Sequence, residues 1–326
     1  MKYTYIFFWM ILWSLLSCSS TEENTTQSDT SATPQPAQSQ PVQKVSVDSL
    51  AVEYNLPFDL TAPDKVVSLP SALEEASGAT FVRDSSLGEE VLALVQDELG
   101  IVYFLDTGSE QIVKEVPFYK AGDYEGVAAL PNARVFVLKS KGTLYEVSSL
   151  AGKEGLMNKY PTFLSEDDDT EGLVWDEKRN RLLIFCKEPY IQNGREMRNF
   201  RVAYGFDMIR RELDAQPALI MDLQLLKSKL AGFRLTEGLA FDPSSKKDFK
   251  PSGVAIDPLT GNYYVISSTG KLLVVMDEFQ QFITAAPLPR ARFPQPEGIC
   301  FSPEGDLYIV NEARDDIARV LKFQRK

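Results

Sequence analysis

The feature of this sequence that most constrains its fold is a short motif that recurs along most of the chain. Each copy places Glu or Ser before Gly and continues into an apolar run, as in Glu125-Gly126-Val127-Ala128. Apart from one longer interval, the copies recur about every 45–48 residues, which is the period of one propeller blade. The marker glycines of the five copies are Gly78, Gly126, Gly172, Gly253 and Gly298.

Short β-branched and aromatic runs follow each marker, joined by turns rich in Gly, Asn and Asp. After Gly253, for example, the turn Leu259-Thr260-Gly261-Asn262 precedes the run Tyr263 to Ile266. Such a pattern indicates successive antiparallel hairpins. The sequence therefore predicts an all-β fold, a five-bladed β-propeller of four-stranded antiparallel blades, with six blades as the alternative.

Two details decide how the blades are counted and how the ring is closed. The motif-like Glu237-Gly238 lies too close to Gly253 for a blade to fit between them. We therefore expect a third blade enlarged by an insertion at about 189–249. The last copy leaves room for about three strands, so Leu56 to Leu69 is expected to supply the fourth, which removes exposed sheet edges.

The N-terminal residues are typical of a targeting segment. Lys2 is followed by an apolar run that is too short for an ordinary membrane-spanning helix. Leu15-Leu16-Ser17-Cys18 resembles the lipobox of bacterial lipoproteins, although an ordinary signal peptide with an incidental cysteine is the alternative. We expect a signal peptide at 1–17, an acylated Cys18, a disordered tether over 18–44 and a propeller domain at 45–326. These N-terminal features predict a lipid-anchored protein of the cell envelope, located in the outer membrane.

Composition excludes several classes of function. The chain has no histidine, which rules out the usual Ser-His-Asp and Cys-His nucleophiles and His-ligated zinc or iron. Its net charge of −12 argues against nucleic acid as a partner. Cys186 and Cys300 each lie in an apolar run in a different repeat, so they are expected to be buried free thiols.

Acidic residues fall at two repeated positions of the predicted blades. Three of them open innermost strands and three follow second strands, and both positions lie at the same end of an antiparallel hairpin. Six carboxylates at one channel mouth would repel each other unless they were protonated or bridged by a cation. Calcium is the natural candidate, because it accepts six to eight oxygen ligands in irregular geometry. The alternative is a purely architectural role in joining blades. The predicted ligands are Glu125, Glu171, Glu297, Asp97, Glu188 and Glu312.

Several of these segments together resemble the SdiA-regulated, YjiK-like family. They are Gln96-Asp97-Glu98, Gly122-Asp123-Tyr124-Glu125-Gly126, Pro251-Ser252-Gly253 and Gln295-Pro296-Glu297-Gly298. The resemblance covers most of Leu56 to Phe323 and implies a five-bladed propeller with a bound calcium. It assigns Glu125, Glu171 and Glu297 to the family's strand openers, and Glu188 and Glu312 to its acids after second strands. The long third blade departs from the family's compact pattern.

Three functions are consistent with these observations. The first is a binding module that uses calcium to shape a site for a small ligand or an envelope protein. The second is a calcium-dependent lactonase or esterase, which here would need a carboxylate base because the chain has no histidine. The third is a structural scaffold of the envelope. The first is favoured, and no catalytic residue is assigned.

Overall fold

The computed structural model describes residues 56–83, 87, 91–131, 134–148, 155–232, 248–314 and 317–326. All of them belong to one compact unit, Ala51–Lys326. The predicted signal peptide, Cys18 and the tether lie outside the described residues. Where the structure is described, no helix has the length and apolar character needed to cross a membrane.

Five four-stranded antiparallel sheets form the blades of the propeller, which confirms the predicted fold class and the count of five among the described residues. In each sheet the strand that carries the marker motif is an edge strand. Blade one contains β2 (Ala76–Val82), β3 (Val91–Gln96), β4 (Ile101–Asp106) and β5 (Gln111–Pro117). Blade two contains β6 (Tyr124–Leu130), β7 (Arg134–Lys139), β8 (Leu144–Ser148) and β9 (Leu156–Tyr160). Blade four contains β16 (Gly253–Ile256), β17 (Tyr263–Ser267), β18 (Leu272–Met276) and β19 (Phe282–Pro287).

The fifth blade closes the ring with a strand from the start of the domain. It contains β20 (Pro296–Phe301), β21 (Leu307–Asn311), β22 (Arg319–Phe323) and β1 (Lys65–Ser68). β1 pairs antiparallel with β22, from Lys65 opposite Lys322 to Ser68 opposite Arg319. A 3-10 turn at Ser71–Leu73 then leads into blade one. The predicted closure by Leu56 to Leu69 is therefore confirmed.

The third blade contains the insertion, but the inserted residues fall into two separate segments, one before β14 and one after β15. Its blade strands are β10 (Thr170–Asp176), β11 (Arg181–Cys186), β14 (Phe200–Asp207) and β15 (Glu212–Asp222), with a 3-10 turn at Glu177–Arg179. A separate hairpin of β12 (Tyr190–Gln192) and β13 (Arg195–Met197) precedes β14. Helix α1 (Leu223–Gly232) follows β15. Part of the stretch 189–249 is thus the blade itself, and Glu237-Gly238 lies outside the described residues.

The hydrophobic core is divided among the seams between neighbouring blades. Among the described residues there is one cluster at each of the five seams. Inner strands pack on both faces, so β3 is buried along its whole length. In the outer strand β5, exposed residues alternate with half-buried ones and with the buried Val116. Cys186 and Cys300 are buried free thiols at two of these seams, as expected.

Candidate functional site: the acidic channel mouth

The marker glycines, and the Glu or Ser before each of them, line the channel between the five innermost strands. We call these Glu and Ser residues the marker residues. A Cβ placed on Gly78 would lie 2.8 Å from the carbonyl oxygen of Glu125 in the next blade, and one on Gly126 would lie 3.0 Å from that of Glu171. Gly253 likewise faces the carbonyl oxygen of Glu297, whereas a Cβ on Gly172 or Gly298 would lie 3.0 Å from Val254 or 3.1 Å from Ala79 of the following blade. Glycine therefore allows the innermost strands to approach each other closely. This ring of glycines forms the waist of the channel.

A β-bulge at the start of the innermost strand sets the direction of the residue before each glycine. In blades one, two, three and five the register with the second strand shifts at that residue. A bulge leaves one residue unpaired and turns its side chain away from the regular alternation. The bulged residues are Ser77, Glu125, Glu171 and Glu297.

Hydroxyl groups tie the residue before each of the three glutamates to the preceding blade. Ser77 Oγ donates to the carbonyl oxygen of Tyr124 at 2.6 Å, and Ser252 Oγ donates to that of Pro296 at 2.8 Å. In blade three, Thr170 Oγ1 lies 3.0 Å from the carbonyl oxygens of Lys139 and Ser140. The serines that interrupt the predicted acidic ring therefore anchor the next blade's glutamate to its neighbour.

The three glutamates converge on a small cavity at the waist. The cavity has a volume of about 10 Å³, which is room for about one water-sized sphere. Its lining includes Glu125, Glu171, Glu297 and Ser77 together with the marker glycines. Glu171 is 6% exposed. The convergence predicted for the three strand-opening glutamates is therefore present.

Burial and mutual repulsion disfavour the charged form of all three carboxyl groups. Burial, followed by the charges of Glu171 and Asp123, raises the pKa of Glu125 to about 10. Burial raises the pKa of Glu297 to about 8, with a further contribution from Glu171. Burial also raises the pKa of Glu171 to about 7, although Lys187 opposes the shift. The waist is thus a place where a proton or a cation is needed to balance charge.

Within the described part of the chain, a lysine contacts one of these acids directly. Lys187 Nζ forms an ion pair with Glu171 and lies 3.4 Å from Asp169 Oδ2. Burial by itself lowers the pKa of the Lys187 ammonium group, but Glu171 and Asp169 raise it by more. Lys187 therefore stays charged. Sequence reasoning did not assign Lys187 to the site. It follows the second strand directly, at the position that Asp97 and Glu312 occupy in their blades, whereas Glu188 stands one residue further on.

The remaining predicted acids belong to an outer set at the same mouth. Burial, then Glu75, Glu98 and Asp123, raise the pKa of Asp97 to about 6. Burial and a shared hydrogen bond with Glu75 raise the pKa of Glu312 to about 8, while Gln295 donates to its carboxylate. Glu188 is occupied by an ion pair with Lys250, and within the described residues no ion pair or hydrogen bond joins it to the three glutamates of the waist.

A further set of polar residues at this mouth was not predicted from the sequence. Each stands three positions before a marker glycine: Glu75, Asp123, Asp169, Lys250 and Gln295. Asp123 accepts a hydrogen bond from Ser140, Asp169 faces Lys187, and Lys250 pairs with Glu188. The signal was available in the sequence, because all five share one offset from the motif.

Several buried oxygens at this mouth have no hydrogen-bond partner among the described residues. They are Glu297 Oε2, Asp97 Oδ1 and Asn311 Oδ1. Hard oxygen ligands of this kind suit calcium. Within the described residues, however, no three Asp, Glu or Cys side chains are arranged as a ready-made metal cage. The donor chemistry fits a cation, but the carboxylates would have to move closer together to share one.

The opposite end of the channel has a different character. There a cavity of about 220 Å³ is lined mainly by apolar side chains from all five blades, with Phe81, Trp175 and Phe301 among them. Arg83 and Glu177 also line it. The glycine waist separates this apolar funnel from the acidic mouth, so the two ends of the channel present different chemistry.

The fold and the axial ring of acids define a five-bladed β-propeller with an acidic channel mouth. The match to a family model agrees with this class: the SdiA-regulated family matches residues 66–314. The chain belongs to that family. A search of curated protein sequences found no match.

Comparison with solved structures gives matches at low sequence identity, including one with a TM-score above 0.5. The glutaminyl cyclase of Myxococcus xanthus is 12% identical with a TM-score of 0.52, and the alignment covers 81% of this chain and 95% of that one. A luciferin-regenerating enzyme is 12% identical with a TM-score of 0.44 and the same coverage of 81% and 95%. A chain of a mitotic checkpoint complex is 9% identical with a TM-score of 0.44, covering 92% and 98%. At these identities the likeness concerns the fold alone.

Proposed function

We propose that this chain is a binding module of the cell envelope that takes a divalent cation, calcium first, at the channel waist. The observation that carries the proposal is the cavity of about 10 Å³ lined by three glutamates from three blades, of which Glu171 is buried and Glu125 and Glu297 are half-buried. Glu125, Glu171 and Glu297 would hold the ion. The unpartnered Glu297 Oε2 is the donor atom that most directly supports it.

A cation bound at the waist would fix the positions of the three glutamates and so determine the shape of the acidic mouth. It would supply positive charge where the carboxyl groups otherwise need protons, and it would link blades two, three and five. The outer acids Asp97, Glu312 and Glu188 surround that position on the same side and would form the rim of a site for a small ligand or an envelope protein. Binding is favoured over hydrolysis because the chain has no histidine to serve as a base.

Calcium is expected to raise the melting temperature of the purified protein relative to the protein in excess chelator. A ligand that binds only the native state stabilises it in proportion to the logarithm of its concentration. Glu297→Gln, Glu171→Gln and Glu125→Gln should each weaken calcium binding by about tenfold or more, which corresponds to about 1.4 kcal/mol. Melting curves across a calcium titration give the measurement.

The matched control is Glu115→Gln, which neutralises an exposed acid on the outer strand of blade one and should keep the full calcium response. Glu188→Gln tests whether that residue joins the ligand set. If no shift occurs at millimolar calcium, where extracellular calcium modules are occupied, the acids join blades and the scaffold alternative replaces the binding module.

The proposal includes a lipid anchor at Cys18, which rests on the lipobox-like Leu15-Leu16-Ser17-Cys18. More than one acyl chain at one cysteine gives stable membrane attachment. Cells producing the protein with labelled palmitate should incorporate label into the wild type and not into Cys18→Ser. Label retained by Cys18→Ser would exclude this residue as the attachment point.

A further inference from the structure

We propose that Lys187 is a tethered cation that competes with the divalent cation for the waist and so sets the affinity of the site. This inference rests on the proposed function. It concerns which cation pairs with the carboxylates of the waist when no metal is bound. Nothing in the sequence motif itself requires a lysine at this position, where the other blades carry Asp97, Ser140, Ser268 and Glu312.

The contacts of Lys187 place its ammonium group at the waist. Nζ is paired with Glu171 Oε1 and lies 3.4 Å from Asp169 Oδ2, and it is attracted to Glu297 of blade five. Its side chain is 30% exposed, whereas that of Glu171 is 7% exposed. The ammonium group therefore reaches in from the mouth to a carboxylate that is otherwise enclosed.

A metal in the waist cavity and the Lys187 ammonium group would repel each other, because both would lie against the Glu171 carboxylate. The cavity has room for about one small sphere, and Glu171 is one of the three acids that line it. A metal that binds Glu171 has to take it from Lys187, and that exchange reduces the net gain from binding. Glu171 is thus engaged by Lys187, and among the described residues no three acidic side chains form a preformed cage.

A neighbouring ion pair provides a matched control. Lys250 pairs with Glu188 at the same mouth, and their side chains are 24% and 33% exposed. This pair involves none of the three glutamates that line the waist. Removing the charge of Lys250 changes the net charge of the protein by the same amount as removing that of Lys187, but it leaves Glu171 engaged.

The experiment is a calorimetric titration of the purified wild type, Lys187→Gln and Lys250→Gln with calcium chloride. We expect Lys187→Gln to bind calcium about tenfold more tightly than the wild type, and Lys250→Gln to differ from the wild type by less than about threefold. Lys187→Arg, which keeps the charge, should stay near the wild-type affinity.

Each result decides between distinct conclusions. Equal affinities of the wild type and Lys187→Gln overturn the role of Lys187 and leave the proposed function intact. If neither protein binds calcium, the proposed function fails, and this inference fails with it. A Lys187→Gln chain that folds only in calcium supports the inference, because the metal then replaces the ammonium group; one that fails to fold with calcium as well overturns it.

Discussion

Removal of the strand β1 is expected to unfold the whole propeller rather than loosen one blade. β1 contributes the outer strand of blade five, and with it the chain brings Val67 and Leu69 into the seam between blades five and one. Burying each such side chain stabilises the fold by about 1.5–3 kcal/mol. Together with the lost strand pairing, the deletion should cost roughly 5 kcal/mol or more, a large part of the net stability of a typical domain.

Urea denaturation of a chain beginning at Leu56 and of one beginning at Pro70 makes this measurable. A point-mutation pair in the same strand gives the control: Val67 is 2% exposed and Val66 is 46% exposed. Val67→Asp should behave like the deletion, whereas Val66→Asp should lower stability by less than about 1 kcal/mol. A cooperative transition at nearly the same urea concentration in both truncated chains would show that the ring does not depend on β1.

In excess chelator, the free energy of unfolding is expected to fall as the pH rises from about 5 to about 8. Burial raises the pKa of Glu171 to about 7, of Glu297 to about 8 and of Glu125 to about 10. Between the unfolded pKa and these folded values, the native state binds more protons than the unfolded state, so raising the pH favours unfolding. Asp97 and Glu312 act in the same direction, and Asp123 and Lys187 are the charged neighbours that modulate the shift.

Glu171 alone accounts for a loss of roughly 3 kcal/mol over this range, since its pKa is raised to about 7 and each unit of pKa difference corresponds to about 1.4 kcal/mol. Urea midpoints measured at about one-unit steps of pH would follow it. The triple variant Glu125→Gln, Glu171→Gln, Glu297→Gln should flatten the profile, and Glu115→Gln should not. Saturating calcium should restore stability at the high end, because the metal replaces the protons. A flat wild-type profile would mean that the three carboxyl groups titrate normally.

The sequence was sufficient to predict the architecture because the information was repeated. Five copies of one motif placed five innermost strands, and the short last copy predicted that Leu56 to Leu69 would close the ring. The long third interval was harder to interpret. A hairpin, two long blade strands and α1 share the stretch 189–249, and no local pattern separates an insertion from the blade that it interrupts.

Only part of the site could be predicted from the sequence, because a motif fixes the position of a residue in its strand and not the direction of its side chain. Glu125, Glu171 and Glu297 share one position in the motif, so their convergence followed from the antiparallel geometry. The bulges that turn them into the waist depend on how each strand meets its partner, which a motif does not encode. Lys187 was missed because Glu188, one residue later, carried the expected charge, and the register of β11 decides which of the two reaches Glu171.

The pairing of β1 with β22 also imposes an order on folding. Among the described strands, β1 is the first to be synthesised and its partner Arg319–Phe323 is the last. Until that last strand leaves the ribosome, the fifth sheet lacks its third member and the earlier strand has nothing to pair with. A prematurely terminated chain would keep unpaired edges that invite aggregation or proteolysis. Ring closure thus requires that the whole propeller domain, through β22, has been synthesised.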